Sequence, residues 1–478
     1  MSDDGPNRSI DLLVDVEAGT GRRAGLEEAL RTAIRIGRLG PGTRLPASRA
    51  LAAGLGISRG TVRAAYDQLV AEGYLTARQG SGTVVALRAQ APPEPRTGAP
   101  SEPRTEAHGG GGRYDLRPGS PDASAFPTAL WLDASRRALT RASAEAFGYG
   151  DPRGRIELRI ALAAYLGRTR GVLARPENIL ITNGHLQGIT LLARVVGGTV
   201  AMEDPGVPFH AEGVRRGGAA VVPLPVDRRG ARTDLLAGTA ATAVEVTPAH
   251  QYPTGRTLQP ERRRTLVEWA RDTGGLIIEN DYDAEFRYDR KPVGALQGVS
   301  PEEVAYLGTT SKTLGPALRL GWMVLPSRLV GAVADAKLHT DHHTEHLGQL
   351  ALADLITRHA YDRHIRASRQ RYRRRRDQLR TRLQPYLSHG LTIEGIAAGL
   401  HVLLTLPPGG PTEADVTAAA TARELALGYL TERRLSPSTP EQAIIIGYGR
   451  PADHAYSAAL DALTSTLDAV LLPPVPEL

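Results

Sequence analysis

Apolar residues recur at helical spacing at Leu26, Ala29, Leu30, Ala33 and Ile34, which predicts a first helix stopping in the segment 37–41. Leu51 and Leu55 mark a short second helix with Ser48 as its expected cap, and Gly56 permits a tight turn into a new start at Ser58. From there Val62, Ala65, Tyr66, Leu69 and Val70 form one stripe, leaving Arg59, Gly60, Thr61 and Arg63 on the early outer face. The β-type runs YLTA and GTVVA, joined through RQGSG, read as a hairpin with a glycine-rich tip. Residues 91–113 are rich in Pro, Gly and small polar side chains and read as a linker. Beyond them the pattern changes: TVAMEDP, TAVEVTP, LIIEND and VAYLGTT are short apolar strands alternating with helical stretches such as ERRRTLVEWARD. That alternation predicts an α/β fold with a mostly parallel central sheet, whose ligands sit beyond the carboxyl ends of the strands. The expected organisation is a small domain of three helices and a hairpin at 1–90, the linker at 91–113 and a large α/β domain at 114–478.

Composition narrows the class. With 478 residues, 41% of them hydrophobic and 23% charged, the chain has the make-up of a soluble globular protein of two or three units. No apolar run is long enough to cross a bilayer, and the acidic start MSDDGPNRSIDLL lacks the basic and apolar regions of a signal peptide, so a cytoplasmic protein without membrane partners is expected. The absence of cysteine excludes disulfides, thiolate metal sites and a catalytic thiol. Charge is uneven: residues 20–90 carry eleven arginines against four carboxylates, an excess equal to the +7 of the whole chain. Positive charge gathered in one small module is the footprint of phosphate binding, or else an ordinary solvated basic face.

A motif separates those two readings. The stretch TRLPASRALAAGLGISRGTVRAAYDQLVAEGYLTARQGSGTVV resembles the winged helix-turn-helix of the GntR family along its whole length. The resemblance implies double-stranded operator DNA as partner, contacted by Arg44, Ser48, Arg49, Arg59, Thr61 and Arg63 and by Gly80 and Gly82 of the wing. It also implies a homodimer on paired half-sites.

In the large domain the telling residue is Lys312, in GTTSKTLGPALRLGW. Only Lys291, Lys312 and Lys337 are lysines in a chain that otherwise writes its positive charge as arginine. A desolvated ammonium can lose its proton and condense with an aldehyde, whereas a guanidinium stays protonated. Arg319 could supply a fork for a phosphate, helped by the hydroxyls of Ser311 and Thr309. On spacing alone, a surface Lys–Arg pair explains the same residues. The ordered motifs YGDPRGRIELRIALAAYLGRTRGV, ITNGHLQGITLLARVV, MEDPG, TPAHQYPTG, IIENDYDAEFRYD and YLGTTSKTLGPALRLGW resemble the MocR subfamily of GntR regulators. Members fuse a GntR-type reader to a domain similar to fold-type I, pyridoxal-phosphate-dependent aminotransferases. The resemblance implies pyridoxal 5'-phosphate as cofactor, with Lys312 as the Schiff-base lysine and Arg319, Ser311 and Thr309 at the phosphate. It adds the backbone of Asn183, Gly184 and His185 at that phosphate, Asn280 under the pyridine nitrogen, Tyr282 near the ring hydroxyl, and Tyr252 in the same set.

Three positions depart from the family pattern. Asn280 stands where the family has an aspartate whose charge keeps the ring nitrogen protonated. Val207 replaces an aromatic that stacks on the ring, so that stacking is lost unless Phe209 or His210 substitutes. Ile445 stands about where an arginine holds a substrate carboxylate, with Arg450 as a possible replacement or an ordinary surface residue. No metal site is expected: His339, His342, His343 and His346 would converge only if helical, and a solvated helix is the simpler reading. The run RQRYRRRRDQLR reads as a solvated or dimer-facing helix.

Three functions are therefore weighed. The first is a transcription regulator whose aminotransferase-like domain senses a small effector, such as an amino compound, through pyridoxal phosphate or after losing it. The second is an active aminotransferase with an accessory DNA module, against which Asn280 and Ile445 count. The third, a purely structural large domain, is opposed by Lys312 and Arg319. Catalytic residues are accordingly not expected, beyond Lys312 if the cofactor binds.

Overall fold

The computed structural model describes residues 21–78, 82–86, 112–288, 293–436 and 441–472. The chain divides between residues 108 and 109 into two compact units.

In the first unit, α1 (Arg22–Arg35), α2 (Ser48–Leu55) and α3 (Arg59–Ala71) precede an antiparallel hairpin of β1 (Leu75–Arg78) and β2 (Gly82–Val85). The anticipated stripes make its core: Leu26, Leu30, Ala33 and Ile34 of α1 pack with Leu51, Val62, Ala65, Tyr66 and Leu69, while Ala29, Leu55 and Val70 are half-buried. Gly56 closes α2 in the left-handed conformation at φ 61°, where a side chain would be strained. Ser48 departs from expectation: Ala47 holds the capping position and Ser48 is the first helical residue, with no side-chain cap bond. Ser58 does cap α3, accepting from the Thr61 N–H at 3.1 Å. Tyr66 donates to the Pro46 carbonyl at 3.0 Å and so ties α3 to the segment before α2.

The second unit opens with β3 (Tyr114–Asp115), α4 (Thr128–Arg141), α5 (Ile156–Arg170), β4 (Ile179–Thr182) and α6 (His185–Val196). It continues through β5 (Thr199–Asp204), α7 (Pro208–Arg216), β6 (Ala220–Asp227), β7 (Gly230–Ala231), β8 (Ala243–Val246), α8 (Pro260–Thr273) and β9 (Leu276–Asp281). Then follow β10 (Val304–Thr309), β11 (Gly321–Val324), α9 (Ser327–Asp341), α10 (His346–Thr357) and α11 (Ala360–Leu383). Last come β12 (Thr392–Glu394), β13 (His401–Thr405), α12 (Glu413–Thr421), β14 (Leu425–Ala426), β15 (Gly428–Tyr429), β16 (Ala443–Gly447) and α13 (Asp453–Leu471).

Eight strands form the central sheet in the order β4-β11-β10-β9-β8-β5-β6-β7. From β10 to β6 every pairing is parallel, β11 runs against both its neighbours, and β7 is a short antiparallel edge. Period-two alternation splits its side chains between two cores: Ile179 and Ile181 pack with α5 and α10, while Leu180 packs with α6 and α7. A sheet covered on both faces explains why its strands read as unbroken apolar runs. A second, antiparallel sheet runs β12-β13-β16-β15. Ile445 lies at its centre, fully buried with Leu403, Leu430 and Ala443.

Two readings of helical segments are corrected. The arginine run lies on α11, but Arg375 and Arg376 are buried. Arg375 bridges Asp122 at 2.9 Å and Asp453 at 2.5 Å between the rings of Tyr372 and Tyr456, because a desolvated guanidinium needs both partners and stacking surface. His342 to His346 do not share a helix, since α9 ends at Asp341 and α10 begins at His346. The His343 and His346 rings stack at 4.0 Å.

Candidate functional site

In the small unit Arg44, Arg49, Arg59 and Arg63 are exposed, and Ser48 and Thr61 are half-buried. Arg63 approaches Asp67 only at 3.9 Å, both ends three-quarters exposed, so its guanidinium is solvated. The Thr61 hydroxyl lies 2.8 Å from Ser58 and belongs to the cap of α3. Arg44 reaches the wing: its backbone bridges Val84, and a side chain at Gly82, where φ is 85°, would meet its Nε at 3.1 Å. Gly80 lies outside the described residues.

In the large unit the predicted residues converge at the carboxyl ends of β4, β9 and β10. Gly184 caps the N-terminus of α6 at φ 84°, and a Cβ there would stand 2.8 Å from Arg319 Nη2. Arg319 donates through that nitrogen to the Asn183 carbonyl. The Asn183 N–H is taken by the Gln187 side chain at 2.8 Å, and its amide by Asp341 at 2.7 Å. Asn183 thus braces the helix start, and the N–H groups of Gly184 and His185, not that of Asn183, remain as donors from this turn. Beneath it the buried Lys337 pairs with Asp341 at 2.9 Å. Thr309 donates to Ser311 at 2.9 Å, so the two hydroxyls adjoin. A guanidinium, two hydroxyls and a helix N-terminus form a cradle for an anion.

Lys312 donates to the Gly119 carbonyl. Its charge reaches His185 and His401; burial first, then the charges of His250 and Lys312, push His401 down to about 3. Tyr252 and Tyr282 stand edge to face at 6.4 Å, and the Tyr282 hydroxyl lies 3.3 Å from His250 Nδ1, itself 2.9 Å from Asp283. Burial and then Asp283 hold the Tyr282 phenol well above its usual range, so it stays protonated.

Asn280 is buried beside Glu245, which receives its Nδ2 at 2.9 Å. The same oxygen receives His185 Nε2 at 2.9 Å, and His210 Nδ1 lies at 3.7 Å. Burial would raise this carboxyl, but the donors His185 and His210 outweigh it and hold it far below the usual carboxylate range. The ligand atoms of His185, His210 and Glu245 all lie within 4.8 Å of one another. Asp281 points to the other face of the sheet, held by Arg170 at 2.6 Å and Tyr306 at 2.7 Å.

Val207 holds the cap position before α7, from which Phe209 faces solvent while the His210 ring turns inward, 4.4 Å from that of His185. Arg450 is committed to Asp115 at 2.9 Å and Ser120 at 3.1 Å. Sequence reasoning missed Glu245, His250, Asp283 and His401. A carboxylate inside the buried run TAVEVTP was the available signal for the first; the others come together only through long-range folding.

Two family descriptions match the chain: aminotransferase class I and II over residues 120–433, and bacterial regulatory proteins, gntR family, over residues 23–85. The chain is 33% identical over 454 residues to the probable rhizopine catabolism regulatory protein MocR of Rhizobium meliloti, spanning 91% of this chain and 92% of that protein. It is 32% identical to the HTH-type pyridoxine biosynthesis transcriptional regulator PdxR of Corynebacterium glutamicum, spanning 79% and 82%. Among solved structures, a kynurenine aminotransferase of Pyrococcus horikoshii superposes with a TM-score of 0.68 at 24% identity, over 74% of this chain and 90% of that one. That likeness establishes the fold of the large unit. Among the described residues, no helix is long and apolar enough to cross a membrane.

Proposed function

Because the chain belongs to the MocR type of GntR-family transcription regulators, we propose that its large domain binds pyridoxal phosphate on Lys312 and uses it to sense an effector, with little or no transaminase activity. The observation that carries the reading is the cradle of Gly184, Thr309, Ser311 and Arg319 together with Lys312. A fold-type I site that had drifted to an unrelated use would have no reason to keep a helix N-terminus that excludes a side chain and faces a guanidinium.

The residues present suit the cofactor. Gly184, His185, Ser311, Thr309 and Arg319 would hold its phosphate, Tyr282 and Tyr252 would lie at its ring, and Lys312 would carry its aldehyde carbon. When bound, the group would supply an electrophilic carbon open to an effector's amine. The protein orients it, keeps the Tyr282 phenol protonated, and offers an acceptor at Asn280. Val207 provides no stacking ring, and the apolar Ile445 provides no carboxylate anchor, so binding outlasts turnover.

The small domain would read operator DNA through Arg44, Arg49, Arg59 and Arg63, with Ser48, Thr61, Gly80 and Gly82 as further contacts. A homodimer would pair two readers, and an effector would alter DNA binding to the extent that it prefers one arrangement. A cytoplasmic site of action goes with that role.

The test is fluorescence anisotropy on a duplex selected from a random-sequence pool, with pyridoxal phosphate and a panel of amino compounds. The expected result is an affinity shift for one or more amines that Lys312→Ala abolishes. Sustained transamination of the same amines would favour the enzyme instead.

A further inference from the structure

Glu245 is a charge that the motif pattern leaves unexplained. It interrupts an apolar strand buried on both sides, where a carboxylate needs donors. The parallel register sets Glu245 beside Ile278, so the next β9 side chain on the shared face is Asn280. A carboxylate oxygen only accepts hydrogen bonds, so the 2.9 Å contact requires Asn280 to turn its Nδ2 toward Glu245. Its Oδ1 is thereby directed away, buried and without a hydrogen-bond partner in the protein. His185 fixes the Glu245 oxygen from the helix side at 2.9 Å, and His210 lies at 3.7 Å from it. Asp281, next in sequence, is turned to the opposite face and cannot take this part.

We propose that Glu245 is the displaced counter-charge of the cofactor site, acting through Asn280. Oδ1 of Asn280 accepts the N–H of a protonated pyridine ring, while Glu245 orients the amide and supplies the negative charge that an amide lacks. No bond is made or broken; the proton stays on the ring nitrogen, and Glu245 is a positioning residue. The inference rests on the pyridoxal phosphate reading above. It makes the exchange at position 280 one half of a pair whose other half stands on the neighbouring strand.

The test is the Kd of pyridoxal phosphate, from titration of the Lys312-dependent visible band, for four full-length proteins: wild type, Glu245→Gln, Asn280→Asp and the double variant. Glu245→Gln should weaken binding about tenfold, the loss of a charge-assisted contact. Asn280→Asp alone should also weaken it, because a second carboxylate is then forced against Glu245. The double variant, with one carboxylate moved to position 280, should bind within about threefold of wild type, since one such charge is again present. Rescue of this kind is not expected of two merely structural substitutions, and thermal melting without cofactor checks folding. If Glu245→Gln does not fold, Asn280→Asp binding as tightly as wild type still contradicts the proposal. Unchanged affinity in Glu245→Gln, or no rescue in the double variant, overturns it while the cofactor reading stands. A wild type with no Lys312-dependent band overturns both.

Discussion

Arg59 and Arg63 sit on the first turns of α3 with exposed guanidinium groups, and the contribution to DNA binding proposed for them is separable from folding. Each Arg→Ala variant should lose roughly 1–3 kcal/mol of affinity if it reads a base, or lower the salt slope by about one if it neutralises a phosphate. Anisotropy titrations at several salt concentrations distinguish these outcomes, and unchanged affinity in both would displace the recognition helix. Gly184 makes a second prediction at this scale. At φ 84° and 2.8 Å from Arg319, a methyl group both strains the backbone and displaces the guanidinium. Gly184→Ala should therefore lose most pyridoxal phosphate binding while the chain stays folded, as read by absorbance and by circular dichroism. Lys312 and Arg319 stood out in the sequence because few residue types could do the chemistry proposed for them. Glu245 was overlooked because its meaning depends on which strand lies beside it.

For the elements, period and capping were legible where local, and mistaken where a hydroxyl lies one residue from the helix boundary. Ser48 and Ser58 each precede an apolar helical stripe, yet only Ser58 holds an N–H of the first turn. Ser58→Ala should destabilise the small domain by about 1 kcal/mol, whereas Ser48→Ala should change it by less than about 0.5 kcal/mol. Thermal or urea melts of the two variants check this, and equal losses would refute the assignment of the caps. The strands were legible from apolar runs bounded by small residues, and the parallel sheet from their alternation with helices. The order of the strands was not, since β11 joins its sequence neighbour β10 to β4, a strand far from both in sequence. Nor was the burial of Arg375, because a run of arginines looks solvated until Asp122, Asp453 and two tyrosines surround one of them.

At the scale of the molecule, buried carboxyls and buried histidines oppose each other in their dependence on pH. Burial pushes Glu203, Glu279 and Glu285 up to about 7. Between the unfolded value near 4.3 and about 7 the folded chain keeps protons that the unfolded chain releases, so these groups lose their stabilising effect as pH rises. His401, pushed down to about 3, has the opposite sign: the unfolded chain takes up a proton first, so its contribution is lost as pH falls below about 6.5. The two trends offset one another in the wild type, and single variants separate them. Relative to wild type, Glu279→Gln should gain up to ~3 kcal/mol in unfolding free energy between pH 4.5 and 7. Melting temperatures measured across that range show it, and a pH-independent difference would mean that Glu279 is ionised throughout.

The central claim is that a regulator's large domain still holds pyridoxal phosphate through Lys312, and the visible absorption spectrum tests it most directly. Purified full-length protein with added pyridoxal phosphate should show a band distinct from that of the free cofactor, retained after desalting and absent in Lys312→Ala. Identical spectra for the two proteins after desalting would contradict the account.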